Sequence, residues 1–175
     1  LSRGLGDVYK RQGEIIWGDN HLKRKELLKK TYMVMQDVNH QLFTESVLDE
    51  VLLSMNDENI CVAEEILTNL NLIHLKEMRP MALSGGEKQK IACGSAAAIA
   101  PDVYVLDEPS SNLDTYAIAD FRQLLFTLKS QGKTIIISEH RLYYLSGLFD
   151  RVLYLKDGEI EGDYTAEKFC GLSAR

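Results

Sequence analysis

Two adjacent acids follow an apolar stretch in the middle of the sequence. Residues 103–109 are VYVLDEP, so Asp107 and Glu108 stand where a short buried strand would end. In open α/β sheets, ligands bind outside the carboxyl ends of the parallel strands. One acid there can hold Mg²⁺ through a water, because magnesium takes oxygen ligands and keeps much of its hydration. The other can polarise an attacking water. A solvated loop before Pro109 would account for the same two residues.

A second stretch, LSGGEKQK at residues 83–90, predicts the start of a helix that could bind an anion. Ser84 and Glu87 have the spacing of a capping box. Gly85 and Gly86 stand between them and leave backbone N–H groups uncovered, and a helix N-terminus of this kind attracts phosphate. Capping boxes are also common in helices that bind nothing, so this stretch alone does not establish a ligand.

A histidine is the third candidate. Residues 134–138 are TIIIS, which predicts a β-branched buried strand, and Glu139 and His140 follow directly. A histidine in that place can hydrogen-bond a phosphate oxygen. A loop histidine without a ligand is the alternative, and the other three histidines of the chain stand in no comparable pattern.

The remaining sequence predicts the elements that would position these residues. Apolar residues recur at three- and four-residue steps in two segments before the LSGGEKQK stretch, which is typical of amphipathic helices. A short strand that ends in a turn is predicted at 14–19, and buried strands are predicted at 32–35, 103–106, 134–138 and 152–155. The predicted helices are 45–55, 61–72, 86–99 and 115–131, with a solvated helix within 21–30, and Asp157-Gly158 is predicted to make a tight hairpin into 159–161. Strands that alternate with helices over short links imply an α/β layered domain.

Composition excludes several classes of protein. The chain has 175 residues, 45% of them hydrophobic, which is enough for one domain with a core. No apolar run approaches the roughly 18 residues that a membrane helix needs. The three cysteines are far apart and form no C-x-x-C pair, so neither a disulfide framework nor a zinc site is predicted. The net charge of −6 argues against an extended nucleic-acid surface.

Taken together, in this order and with these gaps, the stretches resemble the ATP-binding cassette (ABC) ATPases. LSGGEKQK resembles the signature motif, VYVLDEP the Walker B strand, and SSNLD at 110–114 the D-loop. The resemblance covers residues 13–165 and implies a P-loop NTPase-like α/β fold with an inserted helical subdomain. The implied parts are a leader foreign to the fold at 1–12, a partial ATPase core at 13–36, the helical subdomain at 37–82, the rest of the core at 83–165 and a tail at 166–175.

The resemblance also implies ATP and Mg²⁺ as cofactors and a role for each matched residue. Glu108 would orient or deprotonate the attacking water, and His140 would stabilise the transferring phosphoryl group. Gln36 would sense that group and, with Asp107, would serve Mg²⁺. The residues implied to contact the γ-phosphate of an ATP bound mainly to a partner cassette, or to cross the dimer interface, are Ser84, Gly85, Gly86, Glu87 and Asp114.

The family's phosphate-binding P-loop, G-x-x-x-x-G-K-[ST], does not occur in the 175 residues. Gly132-Lys133-Thr134 is not one, because Thr127 stands at the first glycine and a strand follows. We therefore expect an N-terminally truncated frame with the P-loop upstream of Gly13. The chain alone is expected to bind ATP weakly or not at all, to hydrolyse little of it, and to leave apolar sheet surface uncovered.

The residues of three stretches, MQDVNHQLF, SGGEKQK and SEHRLYYL, resemble those of the energy-coupling-factor and tandem-cassette ATPases of importers. The leading interpretation is the nucleotide-binding subunit of an ABC transporter, which couples ATP hydrolysis to import of a small solute and lies peripherally on the cytoplasmic side of the membrane. Its implied partners are a second cassette, in a homodimer, heterodimer or tandem, and integral membrane subunits, with no nucleic acid. Two alternatives stay open: a soluble ABC-type ATPase acting on ribosomes or DNA, and a non-catalytic, degenerate cassette that binds a partner.

Overall fold

The structure, a computed structural model, describes residues 15–55 and 57–172. The strands are β1 (Ile16–Trp17), β2 (Asn20–His21), β3 (Thr31–Val34), β4 (Val103–Asp107), β5 (Thr134–Ser138), β6 (Arg151–Lys156) and β7 (Glu159–Thr165). The α-helices are α1 (Arg24–Lys30), α2 (Val47–Leu53), α3 (Ile60–Asn69), α4 (Gly85–Ile99), α5 (Thr115–Ser130) and α6 (Ala166–Leu172). The leader expected at residues 1–12 lies outside the described residues, as does Asn56 in the break between α2 and α3.

The central sheet has the strand order β3-β4-β5, and both of its strand pairs are parallel. Parallel neighbours need a long crossover connection, and α5 provides it between β4 and β5. The α/β fold predicted from the sequence is confirmed by this sheet and by the helices that alternate with its strands.

The core lies between one face of the sheet and helices α4 and α5. Val34 of β3, Leu106 of β4, Ile91 of α4 and Phe121 of α5 are each no more than 1% exposed and belong to one cluster. Helices α2 and α3, which lie within residues 37–82, pack against α4 and extend the same core through their buried residues. Within the described ranges, no helix is both long and apolar enough to cross a bilayer.

Four helices begin at a residue whose side chain accepts a hydrogen bond from a backbone N–H of the first turn. These caps satisfy N–H groups that have no partner inside the helix. The capping residues are Ser46 for α2, Asn59 for α3, Ser84 for α4 and Asp114 for α5. The helix starts are therefore encoded locally, and the one predicted at Ser84 is confirmed.

The turns predicted between strands are present, but the burial expected of two strands is wrong. The short strand predicted to end in a turn within 14–19 is confirmed as β1, and the turn at Gly18, whose φ is 58°, leads on into the paired strand β2. The strand predicted as buried at 134–138 is half-exposed, with Ile136 56% exposed, because Ile136 lies on the sheet face opposite the core. The hairpin predicted at Asp157-Gly158 is confirmed, because β6 pairs with β7 in a separate antiparallel sheet. The strand at 152–155 within it is mostly exposed, not buried as expected.

Candidate functional site

Glu108 is the centre of a cluster formed by three loops. Gln36 Nε2 donates to Glu108 Oε2 at 2.7 Å. The imidazole Nε2 of His140 lies 3.1 Å from Glu108 Oε1. Each oxygen of the carboxylate therefore has one hydrogen-bond partner among the described residues, and these partners are 72 and 32 positions away in the sequence.

The parallel sheet explains why these residues meet. Gln36, Glu108 and His140 each follow the carboxyl end of a strand, β3, β4 and β5 respectively. The register pairs Val34 with Leu106 and Asp107 with Ser138, so the three strands end at the same level. Side chains that follow parallel strands therefore lie together at the carboxyl ends of the strands, which is where open α/β sheets bind ligands.

The backbone at Glu108 adopts an unusual conformation. Its φ is +41°, a region that residues with a Cβ enter at a cost. Two hydrogen bonds hold it there, because the Glu108 N–H donates to the Ser138 carbonyl at 2.9 Å and the Ser111 N–H donates to the Glu108 carbonyl at 3.1 Å. Strained backbone of this kind clusters at functional sites, where neighbouring structure fixes one side-chain direction.

Asp107 and Gln36 are the residues that could hold a magnesium ion. Asp107 is the last residue of β4 and is half-buried. Gln36 donates through Nε2, which leaves its carbonyl oxygen as an acceptor. In the described part of the chain, no group of three His, Cys, Asp or Glu side chains could hold a metal by itself. The donors present fit Mg²⁺, which protein sites commonly hold through one or two oxygens, the remaining ligands being waters and substrate phosphates.

The predicted capping box at α4 is present. The Ser84 N–H and hydroxyl donate to Glu87 Oε2 at 2.9 and 2.7 Å, and the Glu87 N–H donates to Ser84 Oγ at 3.4 Å. These bonds, first the one from the Ser84 side chain, hold the pKa of Glu87 below its ordinary value. The Ser84 hydroxyl is thus engaged within the cap and would have to rotate to reach a phosphate.

Close packing explains the two glycines after Ser84. A Cβ on Gly85 would lie 2.8 Å from the Asn112 carbonyl oxygen, and one on Gly86 would lie 2.7 Å from Ala117 Cβ. The start of α4 therefore lies directly against the D-loop segment and α5. The sequence suggested that the glycines leave N–H groups uncovered, and the structure adds this second, steric reason for them.

Asp114 caps α5. Its carboxylate accepts the Ala117 N–H at 2.8 Å. No hydrogen bond or ion pair between described residues joins Asp114 or the Ser84–Glu87 cap to the cluster of Gln36, Glu108 and His140. The site residues predicted from the sequence therefore form two separate groups within one chain.

Sequence reasoning gave no role to Glu139 and Gln41. Glu139 accepts the Ser110 hydroxyl at 2.9 Å and connects the loops after β4 and β5. The Gln41 carboxamide accepts the Met35 N–H and donates to the Met33 carbonyl, both at 2.8 Å, and so extends the edge of β3 just before Gln36. Only residue type could have suggested them, because the periodicity of helices and strands does not reveal hydrogen bonds made by loop side chains.

Several known proteins of one family are similar to this chain. A family model described as ABC transporter matches residues 4–111, more than half of the chain. A putative ABC transporter ATP-binding protein of Treponema denticola is 38% identical over 169 residues, which cover 96% of this chain and 35% of that protein. A putative ABC transporter ATP-binding protein of Methanosarcina mazei is 36% identical over 156 residues, covering 85% of this chain and 31% of that protein. The chain thus spans about a third of the length of these curated relatives.

A solved structure is similar in fold. The structure of cbiO1 from Clostridium perfringens, described as part of the ABC transporter complex cbiONQ, has a TM-score of 0.80 with this chain at 23% identity. The match covers 97% of this chain and 76% of that chain. At this identity the similarity establishes the fold alone. With the family model, it leads to one conclusion: the chain belongs to the ABC transporter family of ATP-binding proteins.

Proposed function

We propose that the chain is the ATP-hydrolysing part of an ABC transporter and that the cluster around Glu108 is its catalytic centre. The observation that carries the proposal is the convergence of Gln36, Glu108 and His140 at the carboxyl edge of the parallel sheet. Phosphoryl transfer needs mainly positioning and charge stabilisation. An amide, a carboxylate and an imidazole that touch one another at a ligand-binding edge suit that requirement.

Each residue has a separate task in this proposal. Glu108 orients the attacking water or accepts its proton, and its strained backbone fixes the direction of the carboxylate. His140 hydrogen-bonds the transferring phosphoryl group. Asp107 and the Gln36 carbonyl oxygen hold Mg²⁺, which neutralises charge on the phosphate oxygens when ATP is bound. Gln36 also couples the presence of the phosphoryl group at this edge of the sheet to the conformation of residues 37–82.

The signature residues serve a different nucleotide in this proposal. Ser84, Gly85, Gly86 and Glu87 begin α4 beside the D-loop segment and share no hydrogen bond or ion pair with the Glu108 cluster in the described part of the chain. This separation fits a signature that meets an ATP held mainly by a second cassette, with Asp114 at the interface between the two. A homodimer, a heterodimer and a tandem of two cassettes all satisfy it.

The type of transporter is a finer proposal. The 175 residues contain no P-loop motif, so the proposed activity requires a P-loop from further sequence in the same frame or from a partner. The motif wording and the similarity to cbiO1 support an importer of the energy-coupling or tandem-cassette type for a small solute. The chain would then lie on the cytoplasmic face of the membrane, against integral membrane subunits.

The test begins with the gene. Reading it through both flanks is expected to reveal, within about 50 codons upstream of Gly13, a strand followed by G-x-x-x-x-G-K-[ST] and a helix, the unit that cradles phosphates. Protein expressed from that whole frame should bind Mg-ATP and release phosphate, while the 175-residue chain alone should do neither at micromolar ATP. A native frame without a P-loop, whose product binds no ATP even with its partner cassette, would leave a non-catalytic binding cassette instead.

A further inference from the structure

The Glu139 carboxylate accepts hydrogen bonds from two loops at once. From its own loop, Oε1 accepts the N–H groups of His140 at 3.1 Å and Arg141 at 2.9 Å. From the loop after β4, Oε1 accepts the Ser110 hydroxyl at 2.9 Å and Oε2 accepts the Ser110 N–H at 3.4 Å. Oε2 also accepts the Tyr144 hydroxyl at 3.1 Å.

The link between these loops runs in both directions. Ser110, which begins the D-loop segment, is completely buried and so has a fixed position. The Arg141 guanidinium returns to the Ser110 carbonyl oxygen at 3.3 Å. Glu139 therefore ties the backbone on both sides of the His140 side chain to a rigid point of the core.

His140 needs such support because packing does not supply it. The His140 side chain is 85% exposed, whereas the side chain of its partner Glu108 is 30% exposed. Among the residues that the structure describes, the imidazole has one hydrogen-bond partner, Glu108, so its position depends on that contact and on its own backbone. The position of that backbone is thus what places His140 within reach of the carboxylate.

We propose that Glu139 is a positioning residue, whose carboxylate fixes the backbone of His140 and Arg141 against Ser110 and so sets the contact between His140 and Glu108. The proposal deepens the proposed ATPase function and rests on it for its catalytic meaning, but the contact itself can be measured without ATP. Carboxylates are suited to the task because they only accept hydrogen bonds, and bonds to an ionised acceptor are stronger than neutral ones.

The ionisation of Glu139 agrees with this role. Desolvation by burial acts to raise its pKa, but the hydrogen bonds from the Arg141 N–H, the Ser110 hydroxyl and the Tyr144 hydroxyl together lower it. The same arrangement raises the pKa of Tyr144, first through burial and then through the nearby charge of Glu139. Glu139 is therefore ionised, and Tyr144 a neutral donor, at neutral pH.

The test uses the histidine NMR signals of the 175-residue chain, assigned with the variant H140Q. In E108A the His140 imidazole loses its partner, which defines the chemical shifts of the released ring. We expect E139A to move the His140 signals to those values, while E139Q, which keeps one acceptor oxygen for the His140 and Arg141 N–H groups, should stay near wild type. Y144F is the matched control, because it removes one hydrogen bond to Glu139 and leaves the loop contacts.

The outcomes separate positioning from general stability. A merely structural Glu139 would lower the melting temperature in E139A and leave the His140 signals of the folded protein unchanged, and that result overturns the proposal. So does a Y144F variant that shifts His140 as far as E139A does. If E139A does not fold, E139D replaces it, because its shorter side chain cannot span both loops. Failure of ATP hydrolysis in the full reading frame would not alter these signals, so the two proposals fail independently.

Discussion

At the scale of single residues, Glu108 has to serve two neighbours and still act on a water. An ionised carboxylate has about four lone-pair positions, and Gln36 and His140 use one on each oxygen. Capacity to accept a hydrogen bond from water therefore remains. The two neighbours restrict the rotation of the carboxylate, which is how they contribute to the orientation of the water.

Replacing Glu108 by Gln tests this role directly. The amide keeps the size of the side chain but is a poor proton acceptor, so hydrolysis is expected to fall by about 10²–10⁴-fold, as for loss of a general base. Affinity for ATP should remain within a few-fold of wild type. Phosphate release and nucleotide binding would be measured on protein from the full reading frame, with Glu159→Gln on the exposed hairpin as the control. An E108Q protein that hydrolyses ATP at the wild-type rate would remove Glu108 from the mechanism.

The sequence predicted the members of the Glu108 cluster, but not the residues that hold their loops in place. Motif wording named Gln36, Glu108 and His140 because each stands at a fixed place after a strand. Glu139 stands inside one of the quoted stretches, yet its partner Ser110 is 29 positions away. That distance is closed by the parallel pairing of β4 and β5, and nothing in the local pattern of either loop encodes it.

At the scale of elements, the start of α4 depends on the charge of Glu87. The pKa of Glu87 lies below its ordinary value of 4.5, first because of its hydrogen bond with the Ser84 side chain and then because of the Ser84 N–H. A carboxyl whose pKa is lower in the folded state stabilises the fold above its unfolded pKa. That contribution disappears as the pH falls through the folded value.

Glu87→Gln is therefore expected to destabilise the chain at about pH 6, and the difference from wild type should shrink as the pH falls below 4.5 and Glu87 becomes protonated in the folded chain. The measurement is the free energy of unfolding in urea across that range for wild type and variant. Ser84→Ala should cost about 1 kcal/mol, the usual value for a lost N-cap. A difference between E87Q and wild type that stays constant with pH would contradict the role of the charge.

The close contact between α4 and α5 leads to a second prediction, which concerns the stability of variants at Gly86. Gly86→Ala would bring two Cβ atoms to 2.7 Å, and overpacking of this kind costs about 1–3 kcal/mol. In an Ala117→Gly background the clash is gone, so the same substitution should be neutral or stabilising through helix propensity. The double-mutant cycle measures this coupling.

A matched control for that cycle is Gly171→Ala. Gly171 also lies in a helix, α6, but a Cβ there would meet nothing within 4 Å. The substitution Gly171→Ala should therefore not lower the free energy of unfolding. If Gly86→Ala is equally harmless in the wild-type background, then α4 and α5 can move apart, and the glycine is not required by packing.

Sequence patterns predicted the starts of helices but not the burial of strands. Helix starts were predictable because Ser84 and Asp114 cap within one turn. Burial of the strands was not, because an Ile-rich run such as 134–138 has the same pattern in a strand covered on both faces and in a strand covered on one face. Which of the two it becomes depends on neighbours that lie far away in the sequence.

At the scale of the whole molecule, one face of the parallel sheet is buried and the other is partly exposed. One face carries Val34 and Leu106 into the core. The register places Met33, Val105 and Ile136 side by side on the other face. Met33 is 48% and Ile136 56% exposed, so this outer face is an apolar strip on the surface of the described residues, as the sequence led us to expect.

An exposed apolar strip on a sheet with an edge strand promotes association between chains. Replacing Ile136 by Lys puts a charge in the strip at an exposed position, which should change the free energy of unfolding by less than about 0.5 kcal/mol. We therefore expect I136K to raise the concentration at which light scattering detects aggregates, with little change in melting temperature. Phe126→Lys, which adds the same charge at an exposed position of α5, should leave aggregation as it is. If both variants protect equally, net charge rather than this face governs association; if neither does, the strip is not the surface through which the chains meet.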